Sequence, residues 1–390
     1  MAVLMTAFTP LQVLGLLNLA DDLLEREPDV EIDLIIDVGR PGMAPVATFA
    51  RQAGVFRHVW APPFGSPGHL RSCFRLKYPS VAAALRYFLA AFLRTLGCAR
   101  KARQRLHNDA FCPGMLDSRY DAIYQPMWSK DCELYAHFSR KNPVVRHLID
   151  EGFATWRQFE EDAPFPCDVA HLYEPRLISD RHSEVRILRM PEITPERVRL
   201  FGWLDSAFPL TESEHPPKVE GVAGPASSVL FDQNFGSGMY RSDHPSSKTV
   251  RLWESRKAVL EGAENMVNAV GGTLVVRAHP YSSDREILDL EAFWGHKMER
   301  SNGRPFEVDL LLGRRAVPQK IFTIASSAAF LVPVLVKDSG GEGYELHFFF
   351  PYYVGINPEQ AAGMKAFLNV LERLQNIERV KVVLHDTLGA

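Results

Sequence analysis

Residues 1–38 read MAVLMTAFTPLQVLGLLNLADDLLEREPDVEIDLIIDV, and this stretch decides the fold class. The apolar run at residues 3–8 is too short for a helix and reads as a buried strand. It passes directly into a helical pattern over residues 11–26, and a second apolar run follows at residues 32–38. The rhythm continues outward from there, with strand-like runs at 122–124 and 144–149. Helical patterns at 44–53, 80–106 and 131–140 lie among them. Strands alternating with helices predict a mostly parallel sheet covered on both faces, an α/β fold.

A length of 390 residues suggests two domains, and a chain 46% hydrophobic and 23% charged can build two cores. Residues 210–228 carry Pro216, Pro217 and Pro225, just behind Pro209, and read as a linker. The α/β pattern then restarts. Strands are expected at 229–231, 273–277, 320–324, 346–353 and 380–384, and helices at 246–270, 285–293 and 358–374. The expected domains are therefore 1–208 and 229–390, joined by 209–228, with the last helix packing back on the first domain.

The five cysteines are odd in number, form no CxxC pair and point to reduced thiols in a cytosolic compartment. The N-terminus lacks the basic start and cleavage site of a secretory signal. No uncharged apolar run reaches the roughly 20 residues of a membrane-spanning helix. The net charge of −3 conceals a strong asymmetry, because residues 38–108 hold twelve Lys and Arg and no Asp or Glu. Within that window the segment 78–106 is apolar and purely basic, ending in Arg100, Lys101, Arg103 and Arg105. Three readings stand: a buried helix with solvated arginines, a surface for anionic membrane, or a groove for a polyanionic acceptor. Nucleic acid is not expected, since no nucleic-acid-binding motif accompanies the charge. The acidic run Glu160-Glu161-Asp162 reads as solvated loop, and no metal site is expected.

In parallel sheets, ligands bind beyond the carboxyl ends of the strands, and three such junctions carry chemistry. Asp150-Glu151-Gly152 follows the strand at 144–149; Asp150 could serve as a general base or as an acid capping the next helix. His279-Pro280 follows the strand at 273–277, where an imidazole can serve a leaving phosphate or simply be structural. Ser326-Ser327 precedes a helix and reads either as an anion site or as a plain serine cap. Gln233 and Asn234 open the second domain just after a strand.

A D/E-D/E-G motif, a later HP and a downstream serine pair resemble the bacterial sialyltransferases of the GT-B fold. The long separation between the first two motifs is most similar to the polysialyltransferase and capsule branch. The opening TAFTPLQ, with Thr9, Pro10 and Gln12, is similar to the N-terminal loop of lipooligosaccharide sialyltransferases. The resemblance implies two Rossmann-like domains facing a cleft, with Asp150 as base and His279 as acid. Ser326 and Ser327 would bind the phosphate of CMP-sialic acid or the sugar carboxylate. Arg277, Pro280, Gln233 and Asn234 would line the donor site, with Glu151 and Gly152 completing the first motif. Thr9, Pro10 and Gln12 would lie on the acceptor side. It further implies transfer to a glycan acceptor, polyanionic or lipid-linked, without metal or cofactor. The expected location is the cytoplasm, or the inner face of the membrane as a peripheral protein. The alternatives are a GT-B enzyme using CMP-Kdo or a UDP-sugar, a nucleotide-sugar epimerase, and a non-catalytic polyanion- or membrane-binding protein.

Overall fold

The computed structural model describes residues 1–38, 43–61, 115–126, 133–140, 142–161, 167–193, 228–235, 245–280, 282–300, 305–311, 315–336 and 343–388. The expected helix at 80–106, with Arg100, Lys101, Arg103 and Arg105, lies outside these residues, as does nearly all of the expected linker.

The chain forms two compact units. Unit 1 comprises Met1–Asp150, Pro164–Leu172 and Ser183–Phe208, and unit 2 comprises Glu151–Ala163, Tyr173–His182 and Pro209–Ala390. Each is built on a parallel sheet, so the fold class is α/β with two Rossmann-like units.

Unit 1 begins with strand β1 (Ala2–Ala7), helix α1 (Pro10–Arg26) and strand β2 (Glu31–Ile36). All but the first residue of β1 and of β2 is buried, as parallel strands covered on both faces require. The start of α1 is fixed locally. Thr9 accepts from the Gln12 amide at 3.3 Å, and Gln12 Oε1 accepts from the amides of Phe8 at 2.7 Å and Thr9 at 3.1 Å. Pro10 occupies the first turn, where its missing N–H costs nothing. Helix α2 (Met43–Gln52), strand β3 (His58–Trp60), strand β4 (Ala122–Gln125), helix α3 (Glu133–Phe138) and strand β5 (Val145–Ile149) follow. Strands β6 (Val169–Leu172) and β7 (Arg186–Arg189) complete a seven-stranded sheet of order β3-β2-β1-β4-β5-β6-β7.

Unit 2 contains helix α4 (Phe153–Gln158), strand β8 (Ser228–Phe231), helix α5 (Ser247–Asn268), strand β9 (Leu274–Arg277) and helix α6 (Asp284–Trp294). Helix α7 (Phe306–Leu311), strand β10 (Lys320–Thr323), helix α8 (Ser327–Leu335) and strand β11 (Tyr344–Phe348) come next. Helix α9 (Phe350–Ile356), helix α10 (Met364–Gln375) and strand β12 (Val380–Leu384) end the unit. The sheet order is β12-β11-β10-β8-β9. Helix α4 is anchored by aromatic packing: Phe153 stacks on Phe330 at 4.8 Å, and Trp156 meets the same ring edge-on at 5.9 Å. Helix α10 packs on α4 and on the short 3-10 turn Pro175–Leu177.

Several expectations need correcting. The strand expected over 346–353 stops at Phe348, and α9 begins at Phe350. Pro351, in the first turn of α9, has no amide for a strand ladder but suits a helix start. The single helix expected at 358–374 is a 3-10 turn, Pro358–Gly363, followed by α10. Glu160 is not solvated. It is 8% exposed, accepts from Asn369 Nδ2 at 2.8 Å and pairs with Arg373 of α10. An ion pair and an amide on one carboxylate remove the need for water. Strands β3, β6 and β7 and helix α7 were not foreseen; at three, four, four and six residues they give too little periodicity to read.

Candidate functional site

In unit 2 the sheet reverses direction of growth at β8, which lies between β10 and β9. Ligands bind at such a switch point, outside the carboxyl ends of the strands. The three strands end in register: Thr323 of β10 pairs with Phe231 of β8, which pairs with Arg277 of β9. The loops after them therefore leave side by side. They carry Asp232-Gln233-Asn234, then Ala278-His279-Pro280, then Ser326-Ser327. Gln233, Asn234, Pro280, Ser326 and Ser327, five of the expected donor-side residues, are thus gathered with His279 by the topology itself.

Ser326 is the N-cap residue of α8, yet its side chain makes no capping bond. Its amide instead donates to Thr323 Oγ1 at 2.9 Å, and that hydroxyl bonds the Phe231 carbonyl at 3.3 Å. The plain-cap reading does not describe this serine, and the first amides of α8 form an anion-attracting end beside it. Asn234 Oδ1 is buried without a hydrogen-bond partner among the described residues. An acceptor left in that state is costly unless a ligand or water donates to it.

Burial holds the His279 imidazole below its ordinary pKa, opposed by the carboxylates of Asp232 and Glu286 and reinforced by Arg256. Burial therefore favours the uncharged ring, whereas an anion beside it would favour its protonated form. Arg277 is buried and pairs with Glu299, its guanidinium 5.4 Å from the centre of the Phe306 ring. Glu299 also takes a forked pair of 2.6 Å bonds from Arg315. The charge of Arg277 is thus balanced inside the fold.

Asp150 lies in unit 1 at the carboxyl end of β5, 2% exposed, its amide donating to the His171 carbonyl at 2.9 Å. It does not cap α4, whose N-cap is Gly152 and whose start has no side-chain cap. The unit boundary falls between Asp150 and Glu151, so the motif is shared by the two units. Glu151 donates its amide to Thr155 Oγ1 at 3.0 Å. Gly152, within unit 2, has φ +94, and a Cβ there would stand 3.0 Å from Leu331 and 3.3 Å from the Cβ of Ser327. The glycine of the first motif thus lies against the helix of the serine pair. In unit 1, Thr9, Pro10 and Gln12 are engaged in starting α1, as described above.

Sequence reasoning missed Arg256. It lies on α5 in the buried stripe Trp253, Arg256, Val259, Leu260, Ala263, and a cation at a core position of an amphipathic helix was the available signal. Among the described residues, no group of three or more His, Cys, Asp or Glu is arranged to hold a metal. No helix there is long and apolar enough to cross a membrane.

No protein-family model and no curated protein matches the chain. Among solved structures it is similar to the GT-B domain of a Photobacterium damselae sialyltransferase, at 10% identity over 98% of this chain and 100% of that one, with TM-score 0.49. A 2,6-sialyltransferase from Photobacterium sp. JT-ISH-224, in complex with CMP and lactose, is 11% identical over 98% of this chain and 78% of that one, TM-score 0.48. The UDP-GlcNAc 2-epimerase of Neisseria meningitidis, bound to UDP-GlcNAc, is 8% identical over 97% and 92%, TM-score 0.41. Likenesses this distant name neither a family nor an activity for this chain.

Proposed function

We propose that the chain is a GT-B glycosyltransferase, an inverting sialyltransferase that moves sialic acid from CMP-sialic acid to a hydroxyl of a glycan acceptor. The observation that carries this reading is the switch point of unit 2. There, three strands ending in register present a histidine, an unpaired buried amide oxygen and a serine pair at a helix start.

In this mechanism Asp150 takes the proton of the acceptor hydroxyl, whose oxygen attacks the anomeric carbon from the face opposite the nucleotide. The new carbon–oxygen bond forms as the bond to the phosphate oxygen breaks, and the electron pair leaves with CMP. Ser326, Ser327 and the first amides of α8 stabilise the phosphate. His279, whose uncharged form burial favours, gains its proton as the anion binds and donates a charged hydrogen bond to the leaving group. Asn234 Oδ1 can only accept, so it suits a hydroxyl or amino group of the donor and not the phosphate.

The test is thermal stabilisation by a panel of CMP, CDP, UDP, GDP and ADP, followed by release of CMP from CMP-sialic acid. Selective stabilisation by CMP is expected, and Ser326→Ala/Ser327→Ala should weaken it. Stabilisation by UDP or ADP would reassign the donor. No nucleotide binding and no donor cleavage would reduce the chain to a binding protein on this scaffold.

A further inference from the structure

The loops after β8 and β9 are joined by one side chain. Arg256 Nε donates to Asp232 Oδ1 at 2.7 Å, and Nη2 donates to Asp232 Oδ2 and, at 2.8 Å, to Ser282 Oγ. Ser282 in turn donates its amide to the His279 carbonyl at 2.9 Å, closing a turn over Pro280. The Asp232 amide donates to the Arg277 carbonyl at 3.0 Å, just before that turn. Arg256 is 3% exposed and Asp232 8% exposed, and the guanidinium lies 5.1 Å from the centre of the Trp253 ring.

We infer that Arg256 is a positioning residue of the donor site, bolting the Asp232–Asn234 loop to the His279–Ser282 turn so that imidazole and amide meet the donor in fixed register. This rests on the donor site proposed above and goes beyond it, because Arg256 acts through Asp232 and Ser282 without touching the donor.

Three physical points support the assignment. A buried ion pair adds little net stability over well-packed apolar residues, so core packing alone gives no reason for one here. A guanidinium holds a carboxylate and a hydroxyl at once through a rigid planar fork, which a lysine ammonium cannot reproduce. The charge also matters to His279. The groups facing that ring are Asp232 from the β8 loop, Arg256 from α5 and Glu286 from the first turn of α6. Arg256 is the cation among them, so its removal leaves the two carboxylates opposed by burial alone.

The experiment compares the full-length wild type with Ser282→Ala, Arg256→Lys and Arg256→Gln. It records the NMR titration of the His279 ring, hydrogen exchange of the amide at position 282, and CMP affinity. Ser282→Ala should leave the His279 midpoint and the melting temperature unchanged. It should speed exchange at position 282 and weaken CMP binding about fivefold or more. Arg256→Lys should keep the midpoint and lose affinity. Arg256→Gln should move the midpoint upward. Wild-type exchange and affinity in Ser282→Ala and Arg256→Lys would overturn the clamp, whether or not Arg256→Gln folds. If the wild type binds no CMP, the donor reading fails, while exchange and ring titration still decide the clamp.

Discussion

Gly152→Ala tests whether the first motif is built onto the serine-pair helix. Gly152 has φ +94 and ψ −139, a region that side chains with a Cβ rarely adopt, and holding alanine there costs about 1–3 kcal/mol. The new Cβ would also stand 3.0 Å from Leu331 Cγ and Cδ1 and 3.3 Å from the Ser327 Cβ. Leu331 is fully buried, so it cannot swing aside, and such overpacking adds about 1–3 kcal/mol. Together these reach about 2–6 kcal/mol, a large share of the roughly 5–15 kcal/mol that holds a domain together. Relief comes from shifting the first turn of α8, which carries Ser327, so CMP affinity should fall as well. Gly271→Ala is the control, since φ is +69 there and none of the described residues lies within 4 Å of an added Cβ. It should cost about 1 kcal/mol and leave CMP binding intact. Urea unfolding and calorimetric titration read both effects. Equal stability of the two variants, with wild-type CMP affinity in Gly152→Ala, would refute the reasoning.

Burial lowers His147 to about 4 and His171 to about 3, and the pair shares a 2.9 Å contact between Nδ1 and Nε2 beside Tyr124. Because the unfolded chain takes up these protons near pH 6.5 and the folded chain does not, stability must fall as pH drops below that value. Each histidine contributes about 2 kcal/mol of this loss between pH 7 and 5. Urea midpoints at the two pH values should show the loss, and His147→Leu/His171→Leu should flatten it; an unchanged slope in that variant would exclude the pair as its source. Asp150→Asn is expected to abolish transfer while leaving CMP affinity within about twofold, since the base serves the acceptor. Parallel loss of both would assign Asp150 to the donor side. Replacing Arg100, Lys101, Arg103 and Arg105 with glutamine should raise the acceptor KM or release the protein from anionic vesicles, with donor KM unchanged. Wild-type salt dependence in both assays would remove the basic window from acceptor and membrane engagement alike. Activity should persist in EDTA, and a strict requirement for magnesium or manganese would favour a different donor chemistry.

The sequence by itself determined the α/β class, the opening β1–α1–β2 unit and the position of His279 and Ser326 just beyond strands. Those features are written in local periodicity and in capping residues such as Thr9, Pro10 and Gln12, which act within four positions of one another. Arg256 escaped that reading: a cation in the buried stripe of α5 shows its role only with its partners Asp232 and Ser282. Periodicity states which face of an element is buried and never which element covers it. Only the tertiary structure set β8 between β9 and β10, aligned Phe231 with Arg277 and Thr323, and so gathered three loops into one site. Only it joined Glu160 to Arg373, 213 positions away, turning an apparently solvated acid into a buried partner. Only it laid Gly152 against Ser327, a contact between distant segments that depends on how α4 and α8 pack and leaves no trace in the spacing of either motif.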